Sequence, residues 1–355
     1  MKWLIGVLVL ALAGCAPVAT PTPSVVPTGL MLDVARTFYS PSELEEAVDL
    51  IADSGGTFLH LHLTDDHNVG IESAVLGQTI DDATLDGEVY TSTITGRPFL
   101  SVAQARSLAE YATARDIAIV PEVDTPGHFA AAFDLLAQSR GDDFVEGIRS
   151  GGNELDVTEP AARTLATDLV REVVATFPSS TTIHIGGDEW GDDVDGALRV
   201  EWLNAMAAAV PEVEAWAWND GIESEFVEGL APGIHVTWWS WDGDAEDTAL
   251  SAERRERRAS APELAEAGVP LLNYNSYYLY EVPSVLDPDD AEYTVDDLRE
   301  NWDLSDWDSD TGTPGPTMGG AAVAIWGEEL GAIDKSDLLD WSAPHLRAMI
   351  EVANS

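Results

Sequence analysis

The sequence predicts a single (β/α)8 barrel over residues 29–355, and three observations carry that expectation. Eight strand-length apolar runs recur along the chain, each followed by a helical pattern or a helix-sized connection. The runs are largely apolar, as parallel strands buried on both faces should be. Each run ends in a polar or aromatic side chain, and the C-terminal ends of the strands are the working face of such barrels.

The elements follow in order. Gly29–Arg36 is the first strand, and Leu44, Val48 and Ile51 recur at helical spacing in Ser42–Ser54, with Ser40 or Ser42 as the cap. Thr57–Asp65 is the second strand, followed by a long polar loop and a helix over Val102–Arg115. Ile117–Val123 is the third strand, Ala161–Phe177 a helix, and Thr182–Glu189 the fourth strand. Val213–Asp220, Ile234–Trp241, Pro270–Tyr280 and Gly320–Glu328 supply the other four, and an amphipathic helix over Ser336–Val352 closes the domain. A doubly wound open sheet is the competing fold. It would need a Gly-rich phosphate loop after the first strand, whereas the Gly186-Gly187 pair precedes two acids.

Composition narrows the function. In 355 residues, 17 Lys+Arg stand against 64 Asp+Glu, a net charge of −47 that repels phosphate backbones and excludes nucleic acid as a partner. A hydrophobic content of 45% is that of a globular protein, so the acids coat a folded domain. The single cysteine, Cys15, follows Leu12-Ala13-Gly14 and a short apolar run headed by Lys2. Residues 1–14 therefore read as a signal peptide, and the junction resembles a bacterial lipobox; an ordinary cleaved signal is the alternative. Residues 15–28, rich in Pro, Thr, Ser and Val, read as the lipidated cysteine and a flexible tether. The expectation is an exported surface lipoprotein touching the membrane only through its N-terminal lipid, or a secreted protein if Cys15 carries none.

The strand ends gather Arg36, Asp65, His128, Asp188, Glu189, Trp218, Asp220, Trp239, Tyr278, Tyr280, Trp326 and Glu328. A lone strand-end acid is commonly a loop cap, but polar or aromatic groups at every end describe a site. Asp188-Glu189 is the sharpest feature. A carboxylate pair beside apolar walls can split its pKa values, leaving one member ionised and the other ready as a general acid. Indole faces at three strand ends suit the apolar faces of a sugar ring, and Arg36, Asp65 and Glu328 could hold its hydroxyls. Trp202 and Trp341, on helical stretches, are assigned to packing. His60-x-His62 could begin a metal site, but only His128 and His184 are near candidates to complete it. His60 and His184 are instead expected as buried, hydrogen-bonded histidines beneath the site. No metal or other cofactor is expected, and no GxSxG elbow offers a serine nucleophile.

His184-Ile185-Gly186-Gly187-Asp188-Glu189 resembles the HxGGDE motif of glycoside hydrolase family twenty, the β-N-acetylhexosaminidases. Leu61–Asp66, Pro121–His128, Trp218-Asn219-Asp220 and Ile325–Glu328 match the family in order and spacing around the barrel. The chain is most similar to the single-domain members that act on poly-β-1,6-N-acetylglucosamine of biofilms, through Gly29–Arg36, Trp239–Asp244 and Leu272–Tyr280.

This resemblance implies substrate-assisted retaining hydrolysis, an exception to the two-carboxylate scheme. Glu189 would be the acid and then the base, and Asp188 would orient the 2-acetamido group, whose oxygen attacks through an oxazolinium intermediate. Tyr280 or Tyr278 would hydrogen-bond that acetamido group. Trp218, Trp239 and Trp326 would wall the pocket, Arg36 and Glu328 would hold hydroxyls, and Asp65 and His128 would order the acid. Asp242 is expected to join the substrate-binding set. Alternatives are an exo-hexosaminidase acting on chitin or glycan fragments, and a lipoprotein that binds the polymer without cutting it. Asp192, Asp66-His67 and Gly127 depart from the branch's pattern on loops facing the leaving group. Asp66, Asp192, Asp242, Asp244 and Asp247 are expected at the barrel mouth, where they could steer a partly deacetylated, cationic polymer.

Overall fold

The computed structural model describes residues 25–191, 194–241, 255–308 and 313–355. Cys15 and the signal stretch, together with Asp192, Asp242, Asp244 and Asp247, lie outside the described residues.

Eight parallel strands close into a barrel: β1 (Thr28–Asp33), β2 (Phe58–His62), β3 (Ala118–Glu122), β4 (Thr182–His184), β5 (Glu214–Trp218), β6 (Ile234–Trp238), β7 (Leu271–Asn273) and β8 (Ala321–Ile325). Pairing of β1 with β8, Thr28 opposite Ala321 through Leu32 opposite Ile325, joins the ends of the sheet. Among the described residues the outside is covered by α1 (Pro41–Ser54), α2 (Val102–Thr113), α3 (Pro160–Thr176), α4 (Gly196–Ala209), α5 (Ala261–Glu266), α6 (Pro288–Asn301) and α7 (Lys335–Ala353). Ser40 caps α1, its side chain accepting from the Glu43 N–H while Glu43 accepts from the Ser40 N–H.

Strand alternation divides the core in two. Leu30, Leu32, Leu59, Leu61, Val323 and Ile325 face the helices. Met31, Phe58, Val120, Trp216, Trp218, Leu272, Tyr274, Ala322, Ala324 and Trp326 fill the barrel. The small Ala322 and Ala324 of β8 leave room for the indoles of β5, so large and small residues share the interior. The same parity turns His60, His62, Glu122 and His184 inward.

Several expectations change. Thr28, expected to be the last residue of a tether, is already a buried strand residue. The long polar loop after β2 carries a three-stranded antiparallel sheet of Ala83–Asp86, Val89–Ser92 and Pro98–Phe99. Between β3 and α3 stand helices Ala130–Arg140 and Asp142–Glu146 and a two-stranded ribbon, Arg149–Gly151 with Glu154–Leu155. The β5–β6 connection holds only a 3-10 turn, Ser224–Gly229. Strand β4 stops at His184, so Asp188 and Glu189 ride on a loop. Pro270–Tyr280 is not one strand: after Asn273 the chain makes a helical turn, Ser276–Leu279, and Tyr280–Glu281 then rejoins the barrel beside Ala324 and Ile325.

Candidate active site

The site is built on a buried carboxylate at the end of β3. Glu122 is fully buried, opposite His62 in the β2–β3 register. Its Oε1 accepts the indole N–H of Trp218 at 2.8 Å and lies 3.0 Å from Nδ1 of His184. Its Oε2 lies 2.7 Å from Nδ1 of His62 and 3.2 Å from Nε2 of His60. Burial opposes its charge, but His184 and His62 hold Glu122 well below the usual carboxylate range. Burial dominates at His60, pushing it down to about 4 and leaving it neutral. At His62 burial is overridden by Glu122 and Asp65, which keep the imidazolium. Three sets of facing groups, His60–Glu122–His184, His62–Glu122–Asp124 and Asp124–His128–Asp188, have ligand-type atoms within 4.8 Å of one another. In the first two, the Glu122 oxygens are already engaged by the Trp218 indole N–H and the His62 ring. His60 and His184 thus lie buried and hydrogen-bonded beneath the site.

Above this floor the polar residues converge. Asp33, fully buried at the end of β1, accepts from the Arg36 N–H at 2.8 Å, from Arg36 Nη1 at 3.1 Å and from the Gly327 N–H at 3.1 Å. One carboxylate thereby joins the ends of the first and last strands and aims Arg36. Arg36 Nη2 reaches Asp65 Oδ2 at 2.8 Å, and its guanidinium lies 5.1 Å from the Trp326 ring centroid. Glu328 is exposed beside it at the rim. Asp65 Oδ2 also lies 3.4 Å from His128 Nδ1, and His128 Nε2 lies 3.3 Å from Glu189 Oε2. Burial opposes the charge of His128, yet Glu189, Asp124, Asp188 and Asp65 raise it to about 10, so it donates to Glu189 as an imidazolium.

The loop after β4 needs its two glycines. Gly186 and Gly187 have φ of +70° and +94°, and a Cβ on Gly186 would stand 2.0 Å from Asp124 Oδ1. The turn continues through Glu189 at φ +48°, whose N–H donates to Asp220 Oδ2 at 2.9 Å. Asp220 Oδ1 accepts the Trp239 indole N–H at 2.9 Å. Asp188 keeps a buried Oδ1 with no hydrogen-bond partner in the protein. Burial and the neighbouring charge of Asp188 push Asp124 well above the carboxylate range. Burial raises Asp188 as well, so this buried pair takes up a proton more readily than two free carboxylates would.

Tyr280 and Tyr278, which the sequence leaves open, separate here. Tyr280 lies within the aromatic pocket, its ring parallel to Trp239 at 6.3 Å and 5.5 Å from Trp326, with Trp218 6.2 Å beyond Trp326. Burial, then Asp188 and Asp220, push its phenol well above the usual range. Tyr278 packs outside this pocket, against Tyr277 and Trp241, because the helical turn rotates it away from Tyr280. Tyr278, expected in the substrate-binding set, is thus not brought to the aromatic pocket. Asp66 is committed to structure: it accepts from the Ala130 N–H at 3.0 Å and from Asn153 Nδ2 at 2.8 Å. Sequence reasoning assigned no role to Glu122, Asp33 or Asp124, although a glutamate inside the apolar Ile117–Val123 run required buried partners.

Aromatic walls at the C-terminal end of a (β/α)8 barrel, around two successive carboxyls of which one keeps a buried, unpartnered oxygen, are the arrangement of a glycoside hydrolase. Residues 28–353 match the catalytic domain of glycosyl hydrolase family 20, and the chain belongs to that family. The crystal structure of dispersin B superposes with a TM-score of 0.88 at 38% identity, covering 93% of this chain and 100% of that one. A β-N-acetylhexosaminidase from Cellulomonas fimi is 29% identical over 344 residues, 92% of this chain and 62% of that enzyme. A β-hexosaminidase from Vibrio furnissii is 32% identical over 189 residues, half of this chain and 30% of the relative. The chain thus spans less than two thirds of these two relatives.

Proposed function

We propose that this protein is a β-N-acetylhexosaminidase that cleaves β-1,6-linked N-acetylglucosamine polymer by substrate-assisted retention. The observation that carries the mechanism is the buried, unpartnered Oδ1 of Asp188, whose charge is felt by the Tyr280 phenol, with Glu189 held by the Asp65–His128 pair. The sugar in the pocket stacks on the indole walls, with Arg36 and Glu328 at its hydroxyls. Asp188 Oδ1 accepts the acetamido N–H, and the Tyr280 hydroxyl donates to the acetamido oxygen. That oxygen attacks C1 as the glycosidic C–O bond breaks and Glu189 delivers its proton to the leaving oxygen. The resulting oxazolinium is opened by water, whose proton returns to Glu189. The protein supplies no nucleophile, and Asp188 balances the positive charge that grows on the acetamido nitrogen.

The polymer preference rests on the likeness to dispersin B over that protein's whole length and on the Trp239–Asp244 and Leu272–Tyr280 stretches. The domain from Pro27 should release sugar from β-1,6 oligomers faster than from β-1,4 oligomers; the reverse order would mark an exo-enzyme of chitin fragments. Glu189→Gln should lose about two to four orders of magnitude in kcat. Full activity in that variant removes the acid assignment, and tight polymer binding without cleavage by the wild type removes the enzyme reading. We also infer a lipid anchor at Cys15, which predicts incorporation of labelled palmitate and release of Cys15→Ala protein from membranes.

A further inference from the structure

Beyond the pocket, a buried charged cluster stands behind Tyr280. The strand piece bearing this tyrosine is only two residues long, Tyr280–Glu281, and is preceded by a four-residue helical turn. Such a short ladder contributes few backbone hydrogen bonds; one runs from the Trp326 N–H to the Glu281 carbonyl at 2.9 Å. Alternation sends the Glu281 side chain away from the pocket and into α7. There Glu281 is buried, its Oε2 accepts from the Ser342 hydroxyl, and its Oε1 lies 2.8 Å from Nδ1 of His345. The other nitrogen of the ring, Nε2, lies 2.8 Å from the carbonyl oxygen of Tyr278. The two nitrogens of one imidazole thus bridge the Glu281 side chain and the Tyr278 backbone.

We propose that the Glu281–His345 pair is a positioning device for Tyr280. One imidazole holds the chain at Tyr278 and at Glu281, on either side of the residue that must meet the acetamido group, and ties both points to the C-terminal helix. The inference rests on the role proposed above for Tyr280. An ångström-scale slip of this segment would move the phenol out of reach of the acetamido oxygen while leaving the opposite side of the pocket, Arg36 and Asp65, in place.

The test is a double-mutant cycle on an aryl N-acetylglucosaminide, with kcat, KM and thermal midpoint measured for each protein. Tyr280→Phe alone should lower kcat about tenfold or more, and wild-type kcat in this variant would end the Tyr280 reading itself. Glu281→Gln should lower kcat about ten- to a hundredfold with KM changed less than about threefold. Combined with Tyr280→Phe, Glu281→Gln should cost less than about threefold further, because the group it positions is already gone. Equal losses in the two backgrounds, or an unchanged kcat in Glu281→Gln, would overturn the proposal while leaving the Tyr280 role intact. Should Glu281→Gln fail to fold, Ser342→Ala loses only one hydrogen bond to the same carboxylate. It should give a smaller loss with the same dependence on Tyr280, and additive behaviour there would equally overturn the proposal.

Discussion

Glu122→Gln is the sharpest test of how the floor of the site is held. The substitution changes one heavy atom, yet Glu122 faces four polar groups at 2.7–3.2 Å. A glutamine keeps one acceptor oxygen and turns an NH2 toward two nitrogens that now require an acceptor. His62 loses the carboxylate that holds its proton, leaving a buried imidazolium supported by Asp65 alone, 3.7 Å away. Removing one partner of a buried ion pair costs about 3–5 kcal/mol. With roughly 330 folded residues at about 2.1 cal/mol/K each, the unfolding entropy is about 0.7 kcal/mol/K, so a loss of 4 kcal/mol lowers Tm by about 6 °C. Differential scanning calorimetry at pH 7 reads that shift directly. Disturbance of the floor beneath Trp218 should also lower kcat/KM by about tenfold. A Tm within about 1 °C of wild type, with unchanged kcat/KM, would refute the idea that this carboxylate organises the floor.

Other outcomes follow from the same geometry. His128, raised to about 10 in the fold against an ordinary value near 6.5, contributes stability that is complete below about pH 6.5. That contribution is lost as pH rises toward 10, because the folded state must then give up a proton the unfolded chain has already released. Denaturant midpoints of wild type and His128→Gln should therefore converge between pH 7 and 10, and parallel curves would contradict the assignment. Gly186→Ala combines a left-handed φ with a Cβ 2.0 Å from Asp124 Oδ1 and 2.6 Å from its Cα. It should cost about 3 kcal/mol or more and yield little soluble protein; a well-folded variant would show that the loop can rearrange.

Much of the fold was legible because burial on both faces leaves a period-free apolar run at each strand, and the helices between them carry their own spacing. Seven of the eight barrel strands fall within the expected runs and the first begins one residue early, at Thr28, while Asp188-Glu189, the tryptophans and Arg36 stand at or just past strand ends, where a barrel opens its site. The sequence by itself therefore determined the barrel, the family and the residue types of the chemistry. Tertiary structure decided which of those residues meet. Tyr278 and Tyr280 share a parity that only an unbroken strand preserves, and the helical turn at Ser276–Leu279 breaks it. Asp66 looked like a free mouth acid, but its two oxygens are occupied by groups 64 and 87 positions away. Glu122, Asp33 and Glu281 could be recognised only once their partners on other strands and on α7 were in place. Periodicity reports the environment of a side chain along its own element, whereas hydrogen bonds between distant segments depend on register and closure, which no local pattern encodes.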